Sequence, residues 1–531
     1  MSGFSRTKST LILIFASIGS NILGIARNHF FATHIPTSEL SSYYAAFRIP
    51  DLVYNLVVFG LLSSIFIPVF MGEKSKSEEG AFNFANNMIN FTLVFVSAVS
   101  VVLFFLMPYL TELVVPGFST SAKNMTMDLS RIMLISPLIF GLSSIVGGIL
   151  NSYKKFVAYS LAPLFYNAGI IFGTLFFTEE YGVYGIAYGV LLGALLHLLI
   201  QLPSVFKLGY SYKPILNLKD NALKEIGKMA PPRIGGLIAT QANFFILTII
   251  GSLIGKGAIT YLNFANDMQT FVSVVFGLSF ATISFPLLAE KASKEENAGF
   301  ISEFSKSFRQ ILYFAIPASI GLILLRAQLT RLILGYGYFK FADTILTSAV
   351  LGAFAISLFA QSTLPLLVRA FYALKDTKTP FIASVVAVIV NIIGSLFIPQ
   401  LLANYVIPNS GGLTFSVVGL ALSFSLASIM NMLILLFFLH SRLGDLEDSK
   451  TIISLIKITV SSIVMVFAVQ VIKYLASPII DPKHPVFGFV MQTLVVIAGG
   501  AAAYLLTSFV LKSEEIHGVK DILNRYKRKS A

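Results

Sequence analysis

A chain of 531 residues that is 56% hydrophobic and 12% charged, with a mean hydropathy of +0.82, is not an ordinary soluble domain, where charged residues make up about a quarter. Its formal net charge of +13 would suit nucleic acid, but Lys and Arg fall mostly in short segments between long apolar runs, so the charge reports membrane topology and no nucleic-acid partner is expected. The absence of cysteine excludes disulfides, thiolate metal sites and cysteine nucleophiles.

The first apolar run, Thr10 to Ile35, is longer than the ~7–15 residues of a signal peptide's apolar region and lacks a small-residue cleavage site, so it is expected to stay in the mature protein. Windows of about 20 apolar residues, enough to cross ~30 Å of hydrocarbon, predict roughly fourteen helices. They fall near 10–33, 43–70, 83–108, 128–150, 157–178, 183–206, 228–252, 259–289, 307–334, 344–373, 380–404, 412–440, 451–476 and 486–511. With Met1 in the cytoplasm, about 25 Lys and Arg lie on its side and about 7 opposite, which places both termini inside.

The second run, Phe47 to Phe70, opens with Arg48, Pro50 and Asp51 and carries Asn55. Ionisable groups at membrane depth are costly unless they face a protein-lined cavity or one another. The pattern returns roughly 217 residues on, where Val274-Val275-Phe276-Gly277 repeats Val57-Val58-Phe59-Gly60, and Pro286 repeats Pro68 with one residue of slippage. A second echo pairs Gly148 to Lys155, running on to Asn167, with Arg369 to Asp376, running on to Asn391. Two six-helix lobes of like orientation are therefore expected. They would be 1–207 and 228–441, joined by a cytoplasmic linker at 208–227, followed by two further helices at 442–511 and a basic tail at 512–531.

Gly185, Gly189 and Gly193 form a small-residue stripe suited to close helix packing. The mixed-charge stretch Glu290 to Arg309 reads as a solvated connector. Six cations lie in or beside spans: Arg326, Arg369 and Lys457 sit where snorkelling is easy, whereas Arg27 and Arg48 flank the first external loop and Arg233 follows Pro231-Pro232. No phosphate-binding loop occurs, since Gly251 to Gly257 has the wrong spacing, and no His or acidic cluster suits a metal, so ATP hydrolysis and metal-dependent transfer are not expected.

Several segments together resemble the MurJ (MviN) family of the multidrug/oligosaccharidyl-lipid/polysaccharide exporter superfamily, flippases for the peptidoglycan precursor lipid II. They are Leu23 to Arg27, Ala46 to Asp51 on to Gly60 and Phe66 to Val69, Gly148 to Ser152, Gln201 to Pro203, and Pro232 to Gly236 with Gln241 and Asn243. The resemblance implies an all-α polytopic membrane protein with about fourteen helices and two lobes around a central cavity. It also implies alternating access, a groove for the polyprenyl tail at the last two helices, and residence in the bacterial cytoplasmic membrane. By that likeness Arg27 and Arg48 match family cations that meet the lipid's diphosphate. Three positions depart from the family: Asn21, Tyr54 and Asp267 stand where many members carry arginine.

Two or three arginines in a low-dielectric cavity offer bidentate, charge-assisted bonds to a diphosphate. The expected substrate-binding set is Arg27, Arg48 and Arg233, with Asn28, Asp51, Asn55 and Asp267 shaping the same cavity. Asp267 is expected to pair with one of the arginines when substrate is absent. No cofactor is expected; drive would come from the membrane potential or a Na⁺ or H⁺ gradient. The family likeness suggests Asn243 and Asn391 as ion ligands, although Ser395 stands where an acid would be expected and two Asn bonded to neighbouring helices is the simpler alternative. A monomer working on lipid II among membrane lipids is the expectation. The alternatives are an exporter of another polyprenyl-linked glycan or of drugs, a non-transporting scaffold, or a polyprenyl-phosphate enzyme.

Overall fold

A computed structural model describes residues 3–56, 66–220, 222–223, 241–407, 413–476 and 485–516, with the side chains of 3–15 and 485–486 excepted. The chain is all-helical. Among the described residues the one extended pairing is the isolated bridge between Val406 and Thr414. Among the described residues, ten helices are long and apolar enough to cross a membrane, eleven if a pair bent by 45° at Ile356 and Ser357 counts as one span. This is a multi-pass membrane protein.

The helices fall into two compact units. The first, Met1–Asn263 with Tyr336–Lys340, holds α1 (Gly3–His34), α2 (Thr37–Ala46), α3 (Arg48–Tyr54), α4 (Ile67–Lys76), α5 (Glu78–Val114), α6 (Thr120–Met133) and α7 (Ser136–Ser152). It continues with α8 (Phe156–Phe176), α9 (Thr178–Tyr181), α10 (Val183–Leu199), α11 (Leu202–Phe206), α12 (Gln241–Ile254) and the start of α13 (Ala258–Ser273). The second unit takes the rest of α13, a π-helical segment (Val274–Leu278), α14 (Ser279–Ser293), α15 (Asn297–Leu334), α16 (Phe341–Ala355), α17 (Leu358–Ala373), α18 (Lys378–Leu401), α19 (Ser416–Leu443), α20 (Asp448–Leu475) and α21 (Pro485–Val510).

In the first unit the glycine stripe of α10 meets α8. A Cβ on Gly169 or Gly173 would collide with the backbone of Gly193 or Gly189, so at these points the main chains of the two helices meet directly. Ser77 starts α5 by accepting the Gly80 N–H at 2.8 Å. In the second unit Gly277 lies against the backbone of Ser362, which lets the π-helical turn approach α17.

The units repeat one turn in atomic detail. After α7, Lys155 N bonds Leu150 O and Lys154 N bonds Asn151 O; after α17, Asp376 N bonds Phe371 O and Lys375 N bonds Tyr372 O. Lys154 (φ 58°) and Lys375 (φ 59°) occupy the left-handed position that closes each helix. The echo at Val57–Gly60 lies outside the described residues.

The stretch Glu290 to Arg309 differs from the solvated connector expected of it. Most of it is helical, and Arg309 is buried at its end among Glu447, Glu514 and Glu515, at 3.3, 3.7 and 3.6 Å. Glu515 also accepts from Ser454 Oγ at 2.7 Å, so the start of α20 and the segment after α21 are gathered on one guanidinium. The acids arrive more than a hundred residues later, so local charge content gave no hint of the burial.

Candidate functional site

Polar residues inside the apolar spans of the first unit gather around two arginines. Arg27, on α1, donates through Nη1 to Asn167 Oδ1 of α8 at 3.3 Å and through Nη2 to Asn28 Oδ1 at 3.2 Å, and its guanidinium lies 5.5 Å from the Phe31 ring centroid. Asn167 is fixed from behind, donating to Ser20 Oγ at 3.2 Å and to Pro163 O at 3.2 Å. The carbonyl of Pro163 is within reach because Asn167 lies one helical turn beyond it. Asn28 is buried and also accepts from Tyr44 Oη at 3.4 Å.

Arg48 begins α3 and points at α12 and α13. Its Nε donates to Thr248 Oγ1 at 2.8 Å, its Nη2 to Asn263 Oδ1 at 3.0 Å, and its guanidinium sits 5.4 Å from the Phe244 centroid. Thr248 and Asn263 are oriented in turn, donating to Phe244 O at 2.8 Å and Ile259 O at 2.7 Å. Asp51, one turn after Arg48, lies within its electrostatic reach, accepts from Gln241 Nε2 at 3.2 Å and has Asn55 Nδ2 on its carbonyl at 2.8 Å. Tyr166 of α8 lies within range of both Arg27 and Asp51.

The expected residues Arg27 and Asn28 thus form one group, and Arg48, Asp51 and Asn55 another, both in the first unit. Arg233 lies outside the described residues. Asp267 is half-buried on α13 in the second unit. Asn243 lies on α12 in the first unit; Asn391 is buried in α18 in the second, where it accepts from Ser395 Oγ at 3.3 Å.

Asn21 and Tyr54, two positions of departure, both line one cavity of about 380 Å³ between α1, α3, α7, α8 and α10. Its walls are rich in hydroxyl and amide groups, among them Ser17, Ser20, Ser143, Asn151 and Ser160, with His197. Sequence reasoning missed Asn167, Thr248 and Asn263 as arginine partners. For Asn167 a signal existed, since it was already half of the second echo.

Amides and hydroxyls hold the two guanidinium groups in fixed directions, with the Asp51 carboxylate within electrostatic reach of Arg48. Such a group suits an anion with several oxygens.

Comparison with known proteins bears on what that anion belongs to. The model of the family described as lipid II flippase MurJ matches residues 31–496. A probable lipid II flippase MurJ of Buchnera aphidicola subsp. Acyrthosiphon pisum is 29% identical over 86% of this chain and 88% of its own length. The lipid II flippase MurJ of Burkholderia cenocepacia is 27% identical over 80% of this chain and 81% of its own. Among solved structures, a lipid II flippase MurJ in an inward closed conformation superposes with TM-score 0.76 and 26% identity, covering 95% of this chain and all of that one. An inward-facing MATE multidrug transporter of the MOP superfamily, 13% identical with TM-score 0.68 over 83% of this chain and 99% of its own, shares the fold.

Proposed function

The chain belongs to the lipid II flippase MurJ family, and we propose that it carries lipid II from the cytoplasmic to the external leaflet of the bacterial inner membrane by alternating access, with both termini inside. Family members are named as flippases, hence transporters rather than enzymes, and lipid II places the work in peptidoglycan synthesis. The observation that carries the reading is the pair of arginines in the first unit, each aimed by side-chain hydrogen bonds: Arg27 by Asn28 and Asn167, Arg48 by Thr248 and Asn263. A guanidinium held in a fixed direction by hydrogen bonds is suited to a ligand's negative charge. The diphosphate of lipid II supplies one, and Arg233 joins the same set in this reading. Asn28, Asp51 and Asn55 hold the geometry, Asp267 balances charge between cycles, and the membrane potential or an ion gradient drives the cycle.

Complementation of a bacterial strain depleted of its own lipid II flippase tests this. Growth restored by the wild-type chain and lost with Arg27→Ala or Arg48→Ala supports it. A wild-type chain that reaches the membrane without restoring growth overturns it in favour of another polyprenyl-linked cargo.

A further inference from the structure

The cavity of about 380 Å³ in the first unit is lined by one imidazole, which a short chain of hydrogen bonds holds in place. His197 Nδ1 lies 2.7 Å from Ser143 Oγ, Gln201 Nε2 donates to that same Oγ at 2.7 Å, and Ser143 Oγ also lies 3.3 Å from His197 O. That carbonyl is available because α10 ends there: Gln201 N bonds Leu198 O instead, and Gln201 Nε2 reaches His197 O at 2.9 Å. Ser143 and Gln201 are fully buried.

A hydroxyl gives one proton and accepts two. With Gln201 always donating to it, Ser143 has two consistent settings. When the imidazole is neutral, Ser143 gives its proton to Nδ1. When the imidazole is charged, Nδ1–H donates to Ser143 Oγ and the hydroxyl proton turns to His197 O. In both settings the Ser143 hydroxyl and the Gln201 amide keep a partner for each proton, and no side chain has to move. Gln201 Oε1, beside the cavity-lining Gly147, has no hydrogen-bond partner among the described residues.

We infer that the Ser143–His197–Gln201 cluster is a proton-binding site inside the first unit, and that its occupancy is coupled to transport. The coupling rests on the flippase reading above; the proton site does not. An ionisable side chain within an apolar span marks a functional position by default, and imidazole is the side chain suited to exchanging a proton near neutral pH.

Among the described residues, no charged side chain lines the cavity. The titratable groups facing it are Tyr54 of α3 and Tyr159 of α8, with Tyr166 behind Phe140, whose ring lies 5.3 Å from that of His197. The charges on the helices packed against α10 lie elsewhere. Asp128 and Glu39 act on Tyr184, about 20 Å along α10 from His197, Lys123 and Arg131 share α6 with Asp128, and Glu179 and Glu180 precede α10. Lys154 and Lys155 close α7, roughly 15 Å beyond Ser143.

The test uses the full chain in two readouts. In nanodiscs with ¹⁵N-histidine, the His197 imidazole, identified by its loss in His197→Gln, should titrate between pH 4 and 8, and Ser143→Ala should move its midpoint. No titration in that range, or a midpoint indifferent to Ser143, overturns the site. In proteoliposomes moving lipid II, a one-unit pH difference should change the wild-type initial rate by up to about tenfold, the limit for one proton, and the ratio of rates with and without the difference should fall to one in His197→Gln. An equal ratio in both proteins overturns the coupling. Should His197→Gln fail to fold, a weakened response in Ser143→Ala serves in its place, and an unchanged one overturns the coupling. A wild-type chain that moves no lipid II under any gradient refutes the flippase reading, while the titration still decides the proton site.

Discussion

Arg48 Nε donates to Thr248 Oγ1 at 2.8 Å, joining the head of α3 to the middle of a helix two hundred residues later. Because Nη2 of the same guanidinium reaches Asn263, two bonds in one plane fix its direction. A lysine keeps the charge but has no such fork. Arg48→Lys should therefore fail nearly as badly as Arg48→Ala in complementation. Thr248→Val, which removes one bond to a charged group, should slow lipid II transport on the order of tenfold. Full activity in Arg48→Lys would show that charge alone is used.

Where α8 and α10 meet through glycine, any side chain forces them apart. Gly173→Leu and Gly189→Leu should each lower the thermal unfolding midpoint of the detergent-solubilised protein by several degrees, from overpacking of about 1–3 kcal/mol. Gly24→Leu, at a glycine with open space around it, is the control that should leave the midpoint alone.

Removing the Arg309 side chain leaves Glu515 buried without its cation. Arg309→Ala should destabilise the protein by about 3–5 kcal/mol, and Arg309→Met with Glu515→Gln should recover much of that loss. Glu447, in the same group, has its carboxyl held below the ordinary 4.5 by the hydrogen bond from Lys450, against partial burial and with help from Arg309. A lowered folded-state value means a contribution fully present above about 4.5 and lost as pH falls through the lower one. Thermal stability should accordingly drop on the acid side of 4.5, and Glu447→Gln should make that drop shallower. An identical acid limb in the variant would remove Glu447 from the account.

Lys154 and Lys375 carry side chains where the backbone favours glycine. Lys154→Gly and Lys375→Gly should each stabilise the folded protein by about 0.5–1 kcal/mol, read as a raised unfolding midpoint, provided the lysine makes no lipid contact that outweighs it. A fall of the midpoint in anionic lipid but not in detergent would identify such a contact.

Much of the architecture was legible because bilayer physics writes itself into hydropathy: many of the long apolar runs, and the glycine stripe, have counterparts in the described helices. What stayed hidden were partnerships between residues far apart in sequence. Asn167 and Thr248 look like ordinary polar residues in spans until α8 and α12 bring them against Arg27 and Arg48, and no local pattern marks Arg309 as the meeting point of three acids. The Ser143–His197–Gln201 cluster was hidden for the same reason, with Gln201 visible in the Gln-Leu-Pro segment and its partners not.

In the second unit, the buried Gln269 of α13 and the half-buried Gln361 of α17 donate to each other at 3.3 and 3.0 Å, and Gln361 passes the chain on to Ser357, at the bend between α16 and α17, at 2.8 Å. Two carboxamides clasped head to tail let go together, and once parted Gln269 keeps Asn266 of its own helix and Gln361 keeps Ser357, while both carbonyl oxygens lose their donors. Any sliding of α13 past α17 would thus be a switch with two positions and no resting place between them, indifferent to acidity and salt and sensitive chiefly to heat.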